Sequence, residues 1–150
     1  MKTKVLMVCL GNICRSPLAE GILKSKVDPD KVFVDSAGTA GYHVGNPPDE
    51  RSVAVARKYG LDISSQKCRR FSHHDFQEFD HIYAMDKSNF NNIIRLADDK
   101  EEERKVKLLL DEVDLDHDEV PDPYYGGTDG FEKVFQMVDI ACEAIAKKLN

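Results

Sequence analysis

Four short apolar runs recur along the chain and predict buried β-strands. They cover residues 5–8, 32–34, 82–85 and 106–110. The first run, Val-Leu-Met-Val, contains no polar position. Continuous runs of this kind are typical of strands that are buried on both faces of a parallel sheet.

Helical signals lie between the apolar runs. Ser16 followed by Pro17 predicts a helix start, with serine as the N-cap and proline at the first helical position. Pro29 ends that segment. Residues 49–59 predict a second helix, and Gly60 is placed to stop it.

The second half of the chain repeats the pattern. Residues 86–97 predict a helix, and a last helix begins near Gly130. Residues 98–104 are a charge-rich surface segment, and residues 111–119 predict an acidic, solvated loop. The last helix has an apolar stripe close to helical period, formed by Phe131, Val134, Phe135, Val138, Ala141, Cys142, Ile145 and Leu149.

Strands that alternate with helices predict an α/β fold. We expect a single domain over residues 1–150, with a parallel sheet flanked by helices on both faces. Ligands of such folds bind beyond the carboxyl ends of the strands. Cys9 directly follows the first predicted strand and therefore lies where a ligand is expected.

Composition and charge narrow the class of protein. The chain has 150 residues, of which 41% are hydrophobic and 32% charged, and its formal net charge is −6. This charge argues against nucleic acid as a partner. No stretch approaches the roughly 20 apolar residues of a membrane span, and the N-terminus resembles no secretion signal. We therefore expect a cytoplasmic protein with reduced cysteines.

The histidines and cysteines do not indicate a metal site. The four cysteines form no Cys-x-x-Cys pair, and the five histidines form no His-Glu-x-x-His pattern. The spacing therefore makes a zinc ribbon unlikely, and His73–His74 fits a polar loop better than a metal pair.

One segment carries a specific chemical pattern, Cys-x5-Arg-Ser, at residues 9–16. A loop that enters a helix can turn successive backbone N–H groups inward and bind an anion. Gly11 and Asn12 tolerate the unusual backbone angles of such a loop. Arg15 can bind two phosphate oxygens through its planar fork. Together these groups favour the thiolate of Cys9, which can attack phosphorus, and the Ser16 hydroxyl can stabilise its sulfur.

Attack on a phosphate monoester calls for a proton donor to the leaving group. Asp122 lies between Pro121 and Pro123, which stiffen the backbone around its carboxyl group. Tyr124 and Tyr125 follow and can wall a pocket for an aromatic ring. Taken alone, the segment is better explained by an ordinary turn, in which aspartate serves the turn itself. The Cys-x5-Arg loop in the same chain favours the general acid.

These motifs resemble those of the low-molecular-weight protein tyrosine phosphatases. The resemblance covers nearly the whole chain and depends on five segments. They are residues 8–17, Val-Cys-Leu-Gly-Asn-Ile-Cys-Arg-Ser-Pro; 35–39, Asp-Ser-Ala-Gly-Thr; 45–49, Gly-Asn-Pro-Pro-Asp; 85–89, Met-Asp-Lys-Ser-Asn; and 122–125, Asp-Pro-Tyr-Tyr. The resemblance implies a four-stranded parallel sheet with an N-terminal phosphate-binding loop, no cofactor, and phosphotyrosine proteins as substrates.

The resemblance also implies roles for individual residues. Cys9 would be the nucleophile that forms a phosphocysteine, Arg15 would clamp the phosphate and Ser16 would support the thiolate. Asp122 would act as general acid and then as the base that activates water. The residues expected to contact bound phosphate or other oxyanions are Leu10, Gly11, Asn12, Ile13 and Cys14.

Supporting residues follow from the same resemblance. Asn12 would hold the loop in shape through hydrogen bonds that include Ser36. Tyr42, Tyr124 and Tyr125 would line a slot for the aromatic ring. Neither the sequence nor the resemblance assigns a role to His43, which follows Tyr42.

Cys14 is a candidate redox partner of Cys9, because both lie in one tightly curved loop. The sulfenic acid of oxidised Cys9 could be attacked by Cys14 to close a disulfide, and the resemblance supports this role. The alternative is that Cys14 is a small side chain that fills space under the loop.

Two other functions remain open at this stage. A thiol-dependent arsenate reductase has a similar fold but needs further cysteines for a disulfide relay, and Cys68 and Cys142 are far apart in sequence. A non-catalytic phosphotyrosine-binding module would need neither nucleophile nor acid. The basic residues Lys67, Arg69 and Arg70 would contact an acidic peptide or form a solvated turn.

Overall fold

The apolar run near the N-terminus forms an inner strand of a parallel sheet. In the computed structural model, which describes residues 2–124 and 128–150, β1 spans Thr3–Cys9. It pairs with β2, Val32–Gly38, and with β3, His81–Ala84. The fourth strand, β4, spans Val106–Leu108 and pairs with β3. All pairings are parallel, and the strand order is β2-β1-β3-β4.

Three long helices cover one face of the sheet. They are α1, Arg15–Lys26; α2, Glu50–Lys58; and α6, Thr128–Leu149. Their apolar side chains form one core with Val5 and Met7 of β1. Alternate residues of β1 point to opposite faces of the sheet, so every second side chain of the strand belongs to this core.

Shorter helices cover the opposite face. Here Leu6 and Val8 of β1 pack with apolar residues of α3, Asp75–Glu78, and α4, Lys87–Ile94. A further helix, α5, spans Lys100–Arg104 and has no buried residue. The predicted α/β fold, with four parallel strands and helices on both faces, is therefore confirmed.

Several predicted boundaries were wrong. The predicted fourth strand ends at Leu108, because a 3₁₀ helix, Leu109–Glu112, replaces its last two residues and the start of the predicted acidic loop. The charge-rich segment contains α5, which Asp99 caps by accepting from Glu102 N. The α3 helix was not predicted, since its four residues give too short a pattern.

The start of α1 was also predicted wrongly. The helix begins at Arg15, so Ser16 lies inside its first turn and Pro17 is its third residue. Cys14 occupies the N-cap position without a side-chain cap. The Ser16 hydroxyl does not cap the helix. It contacts Cys9 and Asn12 of the preceding loop instead.

Candidate active site

The Cys-x5-Arg segment forms a loop between β1 and α1, at the carboxyl edge of the sheet. Asn12 adopts a left-handed conformation with φ 57°, which asparagine tolerates better than most residues. Gly11 lies against the His43 ring: a Cβ at Gly11 would be 3.1 Å from His43 Cδ2. Asn12 therefore suits the left-handed turn of the loop, whereas Gly11, whose φ is not positive, leaves room for the His43 ring.

Hydrogen bonds from outside the loop orient its peptide groups. Three backbone N–H groups donate to loop carbonyl oxygens: Thr39 to Cys9 at 2.9 Å, Ala40 to Leu10 at 2.9 Å and Asp49 to Ile13 at 2.8 Å. In a trans peptide the C=O and the following N–H point in opposite directions. The N–H groups of Gly11 and Cys14 therefore point away from these outer partners. Within residues 2–124 and 128–150, no protein acceptor takes either of them, so both are available to an anion.

Gly38, the last residue of β2, allows the sheet to approach this loop closely. A Cβ at position 38 would lie 2.8 Å from the carbonyl oxygen of Leu10 and 3.0 Å from the backbone nitrogen of Asn12. Real Cβ contacts are longer, and both neighbours are backbone atoms that cannot rotate away. Glycine at this position therefore decides where the loop lies on the sheet.

Cys9 lies at the base of the loop and is 3% exposed. Its Sγ is 3.0 Å from Ser16 Oγ. The Asn12 side chain donates to Ser16 Oγ at 2.8 Å and to Ser36 Oγ at 3.0 Å, and Ser36 in turn donates to Glu20 Oε1 at 2.6 Å. Ser16 Oγ accepts from Asn12, and its own proton has two acceptors within reach, the Cys9 sulfur at 3.0 Å and, more distantly, the Ala37 carbonyl oxygen at 3.5 Å.

Arg15 is buried beside this thiol and is fixed by three oxygens. Its Nη1 donates to Asp86 Oδ2 at 2.6 Å and to the carbonyl oxygen of Val120 at 3.0 Å, and its Nη2 lies 3.7 Å from Asp122 Oδ2. Burial alone would lower the Arg15 pKa, but the negative charges of Cys9, Asp86 and Asp122 outweigh it and raise the pKa. Arg15 therefore stays charged and holds one orientation.

Asp86 is a site residue to which the sequence analysis gave no role. It follows β3 and caps α4, where its Oδ1 accepts from Asn89 N at 2.8 Å. Its position could have revealed it, because β3 neighbours β1 and its carboxyl end lies at the same edge as Cys9.

The loop opens into a cavity of about 210 Å³. Its lining residues are Cys9, Leu10, Gly11, Ile13, Cys14, Arg15, Tyr42, His43, Asp122 and Tyr124. The structure thus brings Cys9, Arg15 and Asp122 to one cavity, although 113 residues of sequence separate the first from the last. Asn12, which was expected to contact phosphate, does not line the cavity, and neither do Ser16 and Ser36, the two residues to which its side chain donates. Tyr125 lies outside the described residues.

The walls of the cavity are apolar and partly exposed. Tyr42 is 77% exposed, and Leu10 and Tyr124 are about 40% exposed. The Arg51 guanidinium lies 5.3 Å from the centre of the Tyr124 ring, and Asp49 fixes Arg51 through two hydrogen bonds to its guanidinium. A flat ring between such walls would bury apolar surface without displacing charged groups.

The other cysteines differ in their surroundings. All four are free thiols. Burial raises the Cys14 pKa to about 12, with further contributions from Asp49 and Cys9. Cys142 is fully buried in the core, as its place in the apolar stripe indicated. Cys68 is buried against the back of the loop and donates to the carbonyl oxygen of Asn12 at 2.7 Å, a contact the sequence did not indicate.

The basic segment at 67–70 is neither a simple turn nor a free cationic patch. Arg69 donates to Asp75 through both terminal nitrogens, at 3.1 and 3.0 Å, and to Asp35 at 3.1 Å. Its charge is therefore used within the fold, while Lys67 and Arg70 are exposed.

One group of side chains in the described part of the chain has metal-ligand chemistry. His73 Nε2 lies 3.0 Å from both Asp98 Oδ2 and Glu102 Oε1. A hydrogen bond between Nε2 and Glu102 and an ion-pair contact with Asp98 account for the group, and none of the three residues lines the cavity. The group adds nothing to the chemistry at Cys9.

Comparison with known proteins agrees with this geometry. The family profile described as low molecular weight phosphotyrosine protein phosphatase matches residues 4–150. A low molecular weight protein-tyrosine-phosphatase of Bacillus subtilis, YfkJ, is 42% identical over 97% of this chain and 95% of its own length. The human low molecular weight phosphotyrosine protein phosphatase is 38% identical over 97% and 95%.

A solved structure shows the same fold. The crystal structure of a protein tyrosine phosphatase from Entamoeba histolytica superposes with a TM-score of 0.93 at 37% identity, and covers 99% of this chain and 97% of that one. The chain belongs to the low molecular weight phosphotyrosine protein phosphatase family. Members of this family are protein tyrosine phosphatases, hydrolases that work through a cysteine. Among the described residues, no helix combines the length and apolar character needed to cross a bilayer.

Proposed function

We propose that this chain hydrolyses phosphotyrosine with Cys9 as nucleophile, Arg15 as phosphate clamp and Asp122 as general acid and base. The observation that carries the proposal is the shared cavity, in which the Cys9 thiol lies under the loop and the Asp122 carboxyl group lines the wall. Nucleophile, cation and proton donor are the three groups that transfer of a phosphoryl group from an aryl ester calls for.

The reaction would run in two steps. The Cys9 thiolate attacks phosphorus, the bond from phosphorus to the tyrosine oxygen breaks, and Asp122 gives its proton to the departing phenoxide. In the second step Asp122 takes a proton from water, which attacks the phosphocysteine and releases phosphate. Arg15 and the loop N–H groups stabilise the equatorial oxygens in both transition states, and Ser16 stabilises the sulfur as it leaves.

The walls support an aromatic leaving group. A tyrosine ring would lie between Tyr42 and Tyr124, with Tyr125 as a further predicted wall residue. We therefore expect phosphotyrosine peptides to have a much higher kcat/KM than phosphoserine peptides of the same sequence. Comparable values for both would contradict the slot.

The partners and the compartment follow from the same chemistry. Substrates would be phosphotyrosine proteins, and the net charge of −6 supports the expectation that nucleic acid is not a partner. A nucleophilic thiol needs a reducing environment, which supports the cytoplasm.

The variant Cys9→Ser tests the central claim. We expect it to lose turnover of an aryl phosphate while it still binds vanadate, because the loop remains and only the nucleophile is lost. Cys142→Ala, which changes a thiol in the core, is the control and should keep turnover. Rapid acid quenching of the wild type should trap phosphate on Cys9, and phosphate found on Cys14 instead would overturn the assignment.

A further inference from the structure

The segment that holds Cys68 is itself held at two points beside the phosphate loop. Gly38 N donates to the carbonyl oxygen of Arg69 at 2.9 Å, and Phe71 N donates to that of Gly38 at 2.7 Å, so the segment adds a parallel bridge to the end of β2. Cys68 N donates to the carbonyl oxygen of Asn46 at 2.8 Å. The backbone of Cys68 is therefore fixed independently of its side chain.

Two consecutive residues of this segment contact Asn12. Arg69 N donates to Asn12 Oδ1 at 3.0 Å, and the Cys68 thiol donates to the Asn12 carbonyl oxygen at 2.7 Å. Within the part of the chain that the structure describes, Asn12 is the one non-glycine residue with positive φ. It is 2% exposed. Its carbonyl therefore depends on a protein donor, because a buried carbonyl without a partner is costly.

The contact sets the direction of a peptide group. The Asn12 carbonyl points towards Cys68, so the Ile13 N–H of the same trans peptide points the opposite way. Ile13 lines the cavity and Cys68 does not. The Ile13 N–H therefore points to the side where phosphate binds, and no acceptor among residues 2–124 and 128–150 takes it.

We infer that Cys68 is a positioning residue, whose S–H donor holds the Asn12–Ile13 peptide so that the Ile13 N–H binds the substrate phosphate. Cys68 thus does for this peptide what the N–H groups of Thr39, Ala40 and Asp49 do for three others. The role rests on the proposed function, since it concerns the same phosphate site.

The surroundings of the thiol suit it to this role. A thiol can donate only while it is protonated. Burial raises the pKa of Cys68 to about 11, and the charge of Cys9 adds to the effect. Cys68 therefore remains a donor throughout the neutral range in which a phosphatase works.

Two variants separate the donor from the volume of the side chain. Cys68→Ala removes the donor, and we expect the dissociation constant of inorganic phosphate, measured by calorimetry, to rise roughly tenfold. Cys68→Ser retains a donor and should bind phosphate within about twofold of the wild type. The kcat/KM for an aryl phosphate should fall in Cys68→Ala and recover in Cys68→Ser.

The control is Cys142→Ala, which removes an equally buried thiol whose acceptor, the Ala19 carbonyl oxygen, is 3.8 Å away. It should unfold at a lower temperature and bind phosphate normally. If Cys68→Ala folds too poorly to assay, Cys68→Thr and Cys68→Val offer the same comparison, because they differ in a hydroxyl group at nearly equal size.

The outcomes separate this inference from the proposed function. Equal phosphate affinity in the wild type and in the variants without a donor would overturn the role of Cys68 and leave the phosphatase mechanism intact. Equal loss in variants with and without the donor would show that volume alone matters, which also overturns it. A wild type that binds no phosphate would overturn both proposals.

Discussion

The hydroxyl oxygen of Ser16 lies 3.0 Å from the sulfur of Cys9. Asn12 donates to the same oxygen, and the sulfur is a closer acceptor for the serine proton than the Ala37 carbonyl oxygen at 3.5 Å. In the proposed mechanism a hydrogen bond from Ser16 matters most when Cys9 leaves phosphorus as a thiolate, because hydrogen bonds to charged groups are the stronger ones.

Ser16→Ala should therefore slow hydrolysis of the phosphocysteine. A hydrogen bond to a charged group contributes about 1.5–3 kcal/mol, which corresponds to roughly ten- to a hundredfold in rate. Rapid-quench kinetics should show a burst of phenol followed by a slow steady state. Ser36→Ala is the matched control, since Ser36 contacts Asn12 but not Cys9, and an equal slowing there would contradict the role of Ser16.

Asp122→Ala should slow hydrolysis of aryl phosphates by a factor that depends on the leaving group. Proton donation contributes roughly 10²–10⁴-fold, so phenyl phosphate should lose most of its turnover, whereas activated nitrophenyl esters should lose less. Asp118→Ala is the control, because Asp118 is an exposed carboxylate of the nearby acidic segment paired with Lys87. A slowing that does not vary across the leaving-group series would count against Asp122 as the acid.

Asp86→Asn should weaken phosphate binding by loosening Arg15. Asparagine retains the cap on α4 but removes the charge that lies 2.6 Å from the Arg15 guanidinium. We expect the inhibition constant of phosphate to rise about three- to tenfold, on the scale of one charged hydrogen bond. Asp99→Asn, the control, changes the same kind of cap on α5 and should leave inhibition by phosphate unchanged. Weaker inhibition in both variants would show that loss of helix stability, and not a loosened Arg15, is the cause.

Gly38→Ala should displace the phosphate loop, because its Cβ would meet the Leu10 carbonyl oxygen at 2.8 Å. We expect stability to fall by about 1–3 kcal/mol, the usual cost of overpacking, and kcat/KM to fall with it. Gly130→Ala is the matched control, since its Cβ would have its nearest neighbour at 3.5 Å. It should raise stability by about 0.5–1 kcal/mol through helix propensity. Wild-type activity in Gly38→Ala would show that the sheet does not fix the loop.

Cys14 should protect Cys9 from irreversible oxidation. Peroxide removes two electrons from Cys9 to give the sulfenic acid and water. The Cys14 thiolate then attacks that sulfur, the S–O bond breaks, and the hydroxide leaves as water after protonation. Wild-type protein treated with peroxide should recover its activity when a thiol is added. The activity of Cys14→Ser should be lost irreversibly, and much faster than that of the wild type. Peptide mapping without a Cys9–Cys14 link would contradict the disulfide.

The pH dependence of this step follows from the buried position of Cys14. Its pKa is raised to about 12, so the attacking thiolate is scarce at pH 7 and its fraction rises about tenfold per pH unit. Closure of the disulfide, followed by stopped-flow after the sulfenic acid has formed, should therefore accelerate between pH 7 and 9. A rate independent of pH in that range would show that Cys14 is not the attacking group in its buried form.

The sequence by itself determined the four strands and the main helices in their order along the chain, and the loop that joins β1 to α1. These features depend on residues close together in the chain, such as the apolar runs and the stop at Gly60, whose φ is 83°. Short elements such as α3 could not be predicted, because four residues contain too little periodicity. The start of α1 was misplaced because Ser16, a favoured capping residue, is used by Cys9 and Asn12 instead.

Only the tertiary structure decided what surrounds the phosphate loop. Asp86, Gly38 and Cys68 are far from Cys9 in sequence, and no local pattern distinguishes them from a helix cap, a loop glycine and a buried thiol. Asp86 and Gly38 meet the loop because parallel strands bring their carboxyl ends to one edge of the sheet, and Cys68 meets it because its segment bridges to Gly38. Each close contact depends on packing between segments and not on propensity. The sequence could therefore indicate candidates for the nucleophile, the cation and the acid, whereas their distances and supporting hydrogen bonds arise only when the chain is folded.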